Sequence, residues 1–366
     1  MRILPTEAKK DPNRIPTRCF GAEGRDMEYR MYGWGSTPAQ SLPALHDAGF
    51  GTVTGGWDAE AAGICRSLGL AYRLSVTGFA GKAPYVCADG TVLPEERCPC
   101  DPAGRQARLE TLRTAAAREG VSGITVDYCR FPSMLDGNPH FFGCFCEGCM
   151  RRMEAAGFDA ERIRAAVRIF QRAAAGIGEG RVDADALADW IRWKQQTITA
   201  HFRSLRDTVK RVSPDLRFGA YLFAPSLAPL VGQDCKALDG IADDLSPMLY
   251  RYWPHPEGEA CLDRELCGLI GAAERSRTAA EALAACGFDP GAFPGSRYLE
   301  KNGVNVTHII SETEKARRLI RQARLVPICL LEDRYLTHTL DGMRPYCNGF
   351  DFFLYSGDFA SRIGKI

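Results

Sequence analysis

The chain has no excess of charge of either sign: 46 basic residues stand against 45 acidic ones, a formal net charge of +1. That balance excludes the basic stripe that holds a nucleic-acid backbone, so no nucleic-acid partner is expected. No segment is apolar for long enough to span a bilayer, so no membrane partner is expected either. The opening stretch, MRILPTEAKKDPNRIPTRC, lacks the apolar h-region of a secretory signal, and the expectation is a cytoplasmic protein. The six histidines show no metal-ligand spacing and no pairing with a nucleophile. There is no Walker A loop, no G-x-S-x-G elbow and no H-E-x-x-H pair. No glycine-rich fingerprint follows the first strand, which argues against a dinucleotide site, and no organic cofactor is expected. Internal repeats, low-complexity segments and linkers are missing too, which points to one domain over residues 1–366, with 1–25 as an N-terminal extension.

What the chain does have is a regular alternation. Apolar runs of four to eight residues alternate with helical periodicity, the signature of parallel βα units. The expected strands are 28–35, 51–56, 70–78, 122–128, 217–223, 244–252, 326–333 and 349–356, with a long helix at 184–212. Thr37 with Pro38 marks one helix start, and Ser311 with Glu314 forms a capping box for another. Eight strands with helices between them predict an α/β fold, the (β/α)8 TIM barrel. Two segments are too long to be simple connections, 79–104 after strand three and 133–160 after strand four.

In that fold, chemistry is done at the C-terminal ends of the strands. On strand four Ile124 and Val126 suit the helix-facing side, which turns Gly123, Thr125 and Asp127 inward with Asp127 uppermost. Asp127 is therefore a candidate catalytic carboxylate; the plainer alternative is pairing with Arg130 or capping the turn before Pro132. Strand seven ends in Glu332 and Asp333, and alternation does not decide which faces inward. One of them is expected to face Asp127. Trp34, Arg73, Tyr221, Tyr250 and Tyr355 share the inward phase, and Arg130 follows strand four. Aromatic rings around a polar pit suit a sugar, whose apolar faces stack while its hydroxyls accept and donate hydrogen bonds. Asp58, after strand two, reads equally well as a helix N-cap.

Fifteen cysteines are many for such a chain. Cys65, Cys235, Cys267, Cys286 and Cys329 are scattered and read as small core residues. Cys144, Cys146 and Cys149 form C-x-C-x-x-C in one long loop, and Cys98 and Cys100 lie in the other. Loops following adjacent strands can meet, and four thiolates would satisfy a tetrahedral, coordinatively closed zinc ion of structural type. The fourth ligand is Cys98 or Cys100.

The C-x-C-x-x-C after strand four, with a cysteine upstream, resembles the zinc site of family 42 glycoside hydrolases, β-galactosidases built on TIM barrels. The CPCDP segment is similar to that family's C-x-x-x-P, and this resemblance favours Cys98. The chain departs from that family at the end of strand four, where VDYCRFP stands in place of an Asn-Glu pair. GVSGITVDYCRFP instead resembles the DGIHLDY phrase of uncharacterised glycoside-hydrolase-like barrels. These resemblances imply a hydrolase acting on O-glycosyl bonds, a glycosidase of carbohydrate metabolism. Asp127 and Glu332 or Asp333 would be its paired carboxyl groups. The alternatives are a non-catalytic carbohydrate-binding barrel and a barrel enzyme of other chemistry. Sugar identity and oligomeric state are not legible.

Overall fold

A computed structural model describes residues 27–79, 83–136, 138–251, 262–353 and 357. Its strands are β1 (Glu28–Tyr32), β2 (Thr52–Gly55), β3 (Ala71–Thr77), β4 (Pro84–Val86), β5 (Val92–Arg97), β6 (Gly123–Asp127), β7 (Arg217–Leu222), β8 (Asp244–Pro247), β9 (Arg324–Leu325), β10 (Ile328–Leu330) and β11 (Gly349–Phe353). Nine of them form one parallel sheet in the order β10–β11–β1–β2–β3–β6–β7–β8–β9, while β4 and β5 pair separately as an antiparallel hairpin. The fold is α/β and TIM-barrel-like, with helices between successive strands covering the sheet.

The pattern that predicts these elements is the one they bury. On β6, Ile124 and Val126 are fully buried. The helix Ala184–Val212 is capped by Asp183, which accepts from the Ala186 N–H at 3.2 Å. It buries Trp190, Ile198, Phe202, Leu205 and Val209, residues three, four or eight apart that make one apolar stripe. It stops before Pro214, which cannot continue a helix.

Four expectations change. Strand seven is not one run over 326–333. It is two short segments flanking Val326 and Pro327, and proline has no N–H to give to a ladder. The chain then turns after Leu330, so Glu332 and Asp333 lie beyond the strand. Strand six ends at Pro247, with Met248 bridging Ile328. The helix read as starting at Ser311 begins at Val306, because Asn305 caps it by accepting from the His308 N–H at 2.8 Å. Of the expected strand eight, residues 354–356, Tyr355 among them, lie outside the described residues, as does the extension 1–25.

The lower ends of the strands are tied by charge. Asp244 sits at the start of β8 and accepts from Arg30 (2.6 Å), Arg73 (3.0 Å) and Arg217 (3.0 Å). Arg30 also holds Glu28 at 2.7 Å. Burial alone would push Glu28 up, but Arg30 and Arg73 outweigh it and hold it at about 2. The interior on that side is therefore an ordered set of ion pairs, and its guanidinium groups lie beneath the opposite end of the sheet.

Candidate functional site

At the C-terminal ends of the strands a pocket opens to solvent. Asp127 from β6 and Asp351 from β11 both line it, with Tyr221 from β7 and Tyr32 at the end of β1. Its walls are aromatic. Tyr250 stacks on Phe353 at 5.2 Å between centroids, and Tyr32 stands 5.6 Å from Phe353 and 6.0 Å from Tyr221.

Asp127 is held by its own backbone. Tyr128 is the one described non-glycine residue with positive φ, at 50°. That left-handed conformation disfavours a bulky side chain. It turns the Tyr128 N–H back onto Asp127 Oδ1 at 2.7 Å and leaves the Tyr128 ring exposed at the rim. Burial raises the Asp127 carboxyl above its ordinary value, against the pull of the Tyr128 N–H and Arg130. The Arg130 guanidinium lies 4.7 Å from the Phe223 ring centre and 5.3 Å from that of Tyr128. Gln233 braces this corner from behind, accepting from the Phe223 N–H at 2.8 Å and donating to the carbonyls of Cys129 and Tyr221 at 3.4 Å.

Gly78 is the counterpart support. Its N–H donates to the Asp127 carbonyl at 2.5 Å, and a Cβ there would fall 2.3 Å from Cys129 Cβ and 2.6 Å from its Cα. Backbone cannot yield as a flexible side chain can. Gly78→Ala is expected to cost about 1–3 kcal/mol of stability and to displace the Asp127–Tyr128 turn. Thermal unfolding checks the first effect; wild-type stability in this variant would disprove the close approach.

Asp351 is the buried member of the pair, 2% exposed. Tyr221 Oη donates to its Oδ2 at 3.2 Å, and its Oδ1 has no hydrogen-bond partner among the described residues. Burial pushes its carboxyl up to about 6, even though Arg30, the Tyr221 hydroxyl and Arg73 pull the other way. The Tyr221 phenol is raised well above its ordinary value by burial and by the charges of Asp351 and Asp127, so it remains a donor.

The other expected site residues are placed as follows. Tyr221, Tyr250 and Arg130 line the pocket with Asp127. Trp34 does not; it is buried edge-on against Tyr72 at 5.5 Å, in the space left by Gly55. Arg73 belongs to the ion-pair network below. Asp58 caps the helix Ala59–Leu68. Glu332 is exposed on the turn after β10. Asp333 is buried beneath Arg251, which donates to it at 2.8 and 3.1 Å, and it also accepts from the Tyr335 N–H. Neither lines the pocket, so the carboxyl group that shares it with Asp127 comes from β11. The signal for Asp351 was present in the sequence: it lies four residues before Tyr355 and shares its phase. Being mid-strand rather than at a strand end, it did not stand out. Gln233 carried no such signal.

The cysteines converge separately. The Sγ atoms of Cys98, Cys144, Cys146 and Cys149 all lie within 4.8 Å of one another. Cys98 is 3.6 Å from Cys146 and 3.4 Å from Cys149. Four thiolates about 2.3 Å from a tetrahedral ion stand roughly 3.8 Å apart, so this set could hold a metal ion. Cys98 follows β5, whereas Cys146 sits at the N-cap position of the helix Glu147–Ala155 and Cys149 lies in its first turn, a favourable place for negative sulfur. The Cys100 N–H donates to Cys98 Sγ at 3.3 Å and the Val86 N–H to Cys144 Sγ at 3.5 Å, contacts of the kind that orient metal-bound thiolates. Cys100 is buried beside the four as a support and is not one of them. Of the scattered cysteines, Cys65, Cys235, Cys286 and Cys329 are buried and Cys267 is partly so.

No protein-family model and no curated protein matches the chain. Among solved structures it is similar to the PgaB (BpsB) glycoside hydrolase domain from Bordetella bronchiseptica. The TM-score is 0.55 at 13% identity, over 93% of this chain and 96% of that one. It is also similar to a cold-adapted β-galactosidase from Rahnella sp. R3 (TM-score 0.53, 10% identity, 91% of this chain and 51% of that one). A GH42 β-galactosidase from G. stearothermophilus follows (TM-score 0.52, 11% identity, 91% and 52%). The chain spans about half the length of these two β-galactosidases. At such identities the likeness is one of fold alone.

Proposed function

We propose that the chain is a glycoside hydrolase whose paired carboxyl groups are Asp127 and Asp351. One observation carries the reading: two carboxyl groups share one aromatic-walled pocket at the strand ends where this kind of fold does chemistry. In this reading β9 and β10 are the halves of one strand that closes an eight-stranded barrel, since β9 pairs with β8 and β10 with β11. The carbohydrate stacks on Tyr250 and Phe353. The role that alternation offered to Glu332 or Asp333 passes to Asp351.

The two environments divide the work. Asp351 holds its proton to about 6. With Oδ2 engaged by the Tyr221 hydroxyl, that proton resides on Oδ1, from which it is delivered to the departing glycosidic oxygen. Asp127, partly open to the pocket, is the base or nucleophile, and Arg130 keeps its charged form accessible. The cysteine cluster holds a zinc ion that ties the loop after β5 to the helix at 147–155. Four thiolates leave no open position, so the ion supplies rigidity and no step of the reaction.

A panel of aryl glycosides tests the reading. Turnover should fall as pH rises through about 6, as Asp351 loses its proton. Tyr221→Phe removes a hydrogen bond that favours the ionised carboxylate, so that limb should move to higher pH by up to about one unit. A limb that stays put or moves down would contradict the role given to Asp351. Sugar binding without turnover on any substrate would leave the chain a carbohydrate-binding barrel.

A further inference from the structure

We infer that the Tyr128 ring is the platform of a second sugar subsite, which makes the substrate an oligosaccharide or longer glycan chain. The inference rests on the proposed function for the first sugar and for the bond that is cleaved. A bulky residue is disfavoured at the φ of 50° that Tyr128 adopts, whereas glycine or asparagine takes that conformation readily. The turn itself asks only for the N–H of residue 128, which donates to Asp127 Oδ1 at 2.7 Å and which any residue but proline supplies. Burial does not account for the side chain either, since it is 57% exposed. The ring does have a fixed place. The Arg130 guanidinium stands over it at 5.3 Å and over the Phe223 ring at 4.7 Å, and all three residues line the pocket. Backbone strain of this kind gathers at ligand sites. An aromatic ring kept at the edge of a pocket suits the apolar face of a sugar.

Strand order decides which sugar that ring meets. Phe353 ends β11 and Tyr128 directly follows β6. The sheet order β11–β1–β2–β3–β6 sets them four strands apart, half the circuit of an eight-stranded barrel. Such a barrel is roughly 15 Å across at the backbone. Tyr250, stacked on Phe353 at 5.2 Å, belongs to the Phe353 side. The carboxyl groups divide in the same way: Asp351 lies two residues before Phe353, and Asp127 immediately before Tyr128. A bond cleaved between those two groups therefore has an aromatic platform on either side. Successive rings of one chain occupy the two platforms.

The experiment presents the full-length protein to an array of mono- to hexasaccharides of glucose, galactose, mannose and N-acetylglucosamine, with calorimetry on the sugars retained. A disaccharide or longer chain should bind about five- to tenfold more tightly than its own monosaccharide, the gain from covering one ring face. Tyr128→Phe should keep that ratio. Tyr128→Gly and Tyr128→Asn should bring it to about one with the melting temperature kept or raised, because both residues accept the left-handed backbone. Should the glycine variant fail to fold, the asparagine variant carries the same test. A ratio near one in the parent, or a ratio that the glycine and asparagine variants leave unchanged, overturns the inference. Turnover of aryl glycosides with no preference for longer chains removes the second subsite and leaves the glycosidase reading intact. A preference that disappears with the Tyr128 ring, with no sugar hydrolysed, keeps the subsite and removes that reading. A parent that binds no sugar on the array overturns both.

Discussion

Asp127→Asn lowers kcat by on the order of 10³-fold or more, with the fold intact. The substitution is nearly isosteric and keeps an oxygen to accept from the Tyr128 N–H, so the turn after β6 is preserved while the carboxylate is lost. Asp351→Asn should abolish turnover as well, with a different signature in stability. A buried aspartate held at about 6 binds its proton more tightly folded than unfolded, where its value is near 3.8. Its contribution to stability is therefore complete below about pH 4 and is lost as pH rises to about 6, by up to roughly 3 kcal/mol. Asparagine does not titrate. The variant should thus unfold several degrees above the parent at pH 8, and the gap should narrow towards pH 4. Melting curves at the two pH values decide this, and a gap that does not depend on pH would mean that Asp351 is ionised throughout. Near-normal kcat in either variant would remove that residue from the reaction.

Cys146→Ser is expected to have the largest effect on stability. With one thiolate gone the remaining three hold zinc poorly, and binding free energy that had been folding free energy disappears. Several kcal/mol, or on the order of 10 °C in melting temperature, should go with it. Elemental analysis of the parent should find about one zinc per chain, and of the variant much less. Prolonged chelation of the parent should reproduce the lower melting temperature, with activity falling only as the fold does. Metal-free parent protein with reduced thiols and an unchanged melting temperature would dispose of the site. Rapid loss of turnover on chelation in a still-folded protein would mean that the metal takes part in the reaction.

Several features were readable from residue order alone, each because the interaction that makes it is local or periodic. The parallel strands follow from apolar runs, and the helix at 184–212 from its stripe of Trp190, Ile198, Phe202, Leu205 and Val209. The inward phase of Asp127 and Tyr221 follows from the two-residue repeat of a strand. Cys144, Cys146 and Cys149 are joined by their spacing, and the two long loops by following adjacent strands of the sheet. Other features depend on which distant segments meet, and residue order does not carry that. Cys98 rather than Cys100 completes the set of four thiols that all lie within 4.8 Å of one another, a matter of how the two loops meet. Asp333 is taken by Arg251, 82 residues away, after Pro327 splits the seventh strand and the chain turns. That leaves Asp351 as the second carboxyl group in the pocket. Its raised proton affinity is a tertiary property: it comes from complete burial, set against guanidinium groups delivered from β1 and β3. Sequence periodicity determines which face a residue takes; only the assembled sheet decides what that residue meets there.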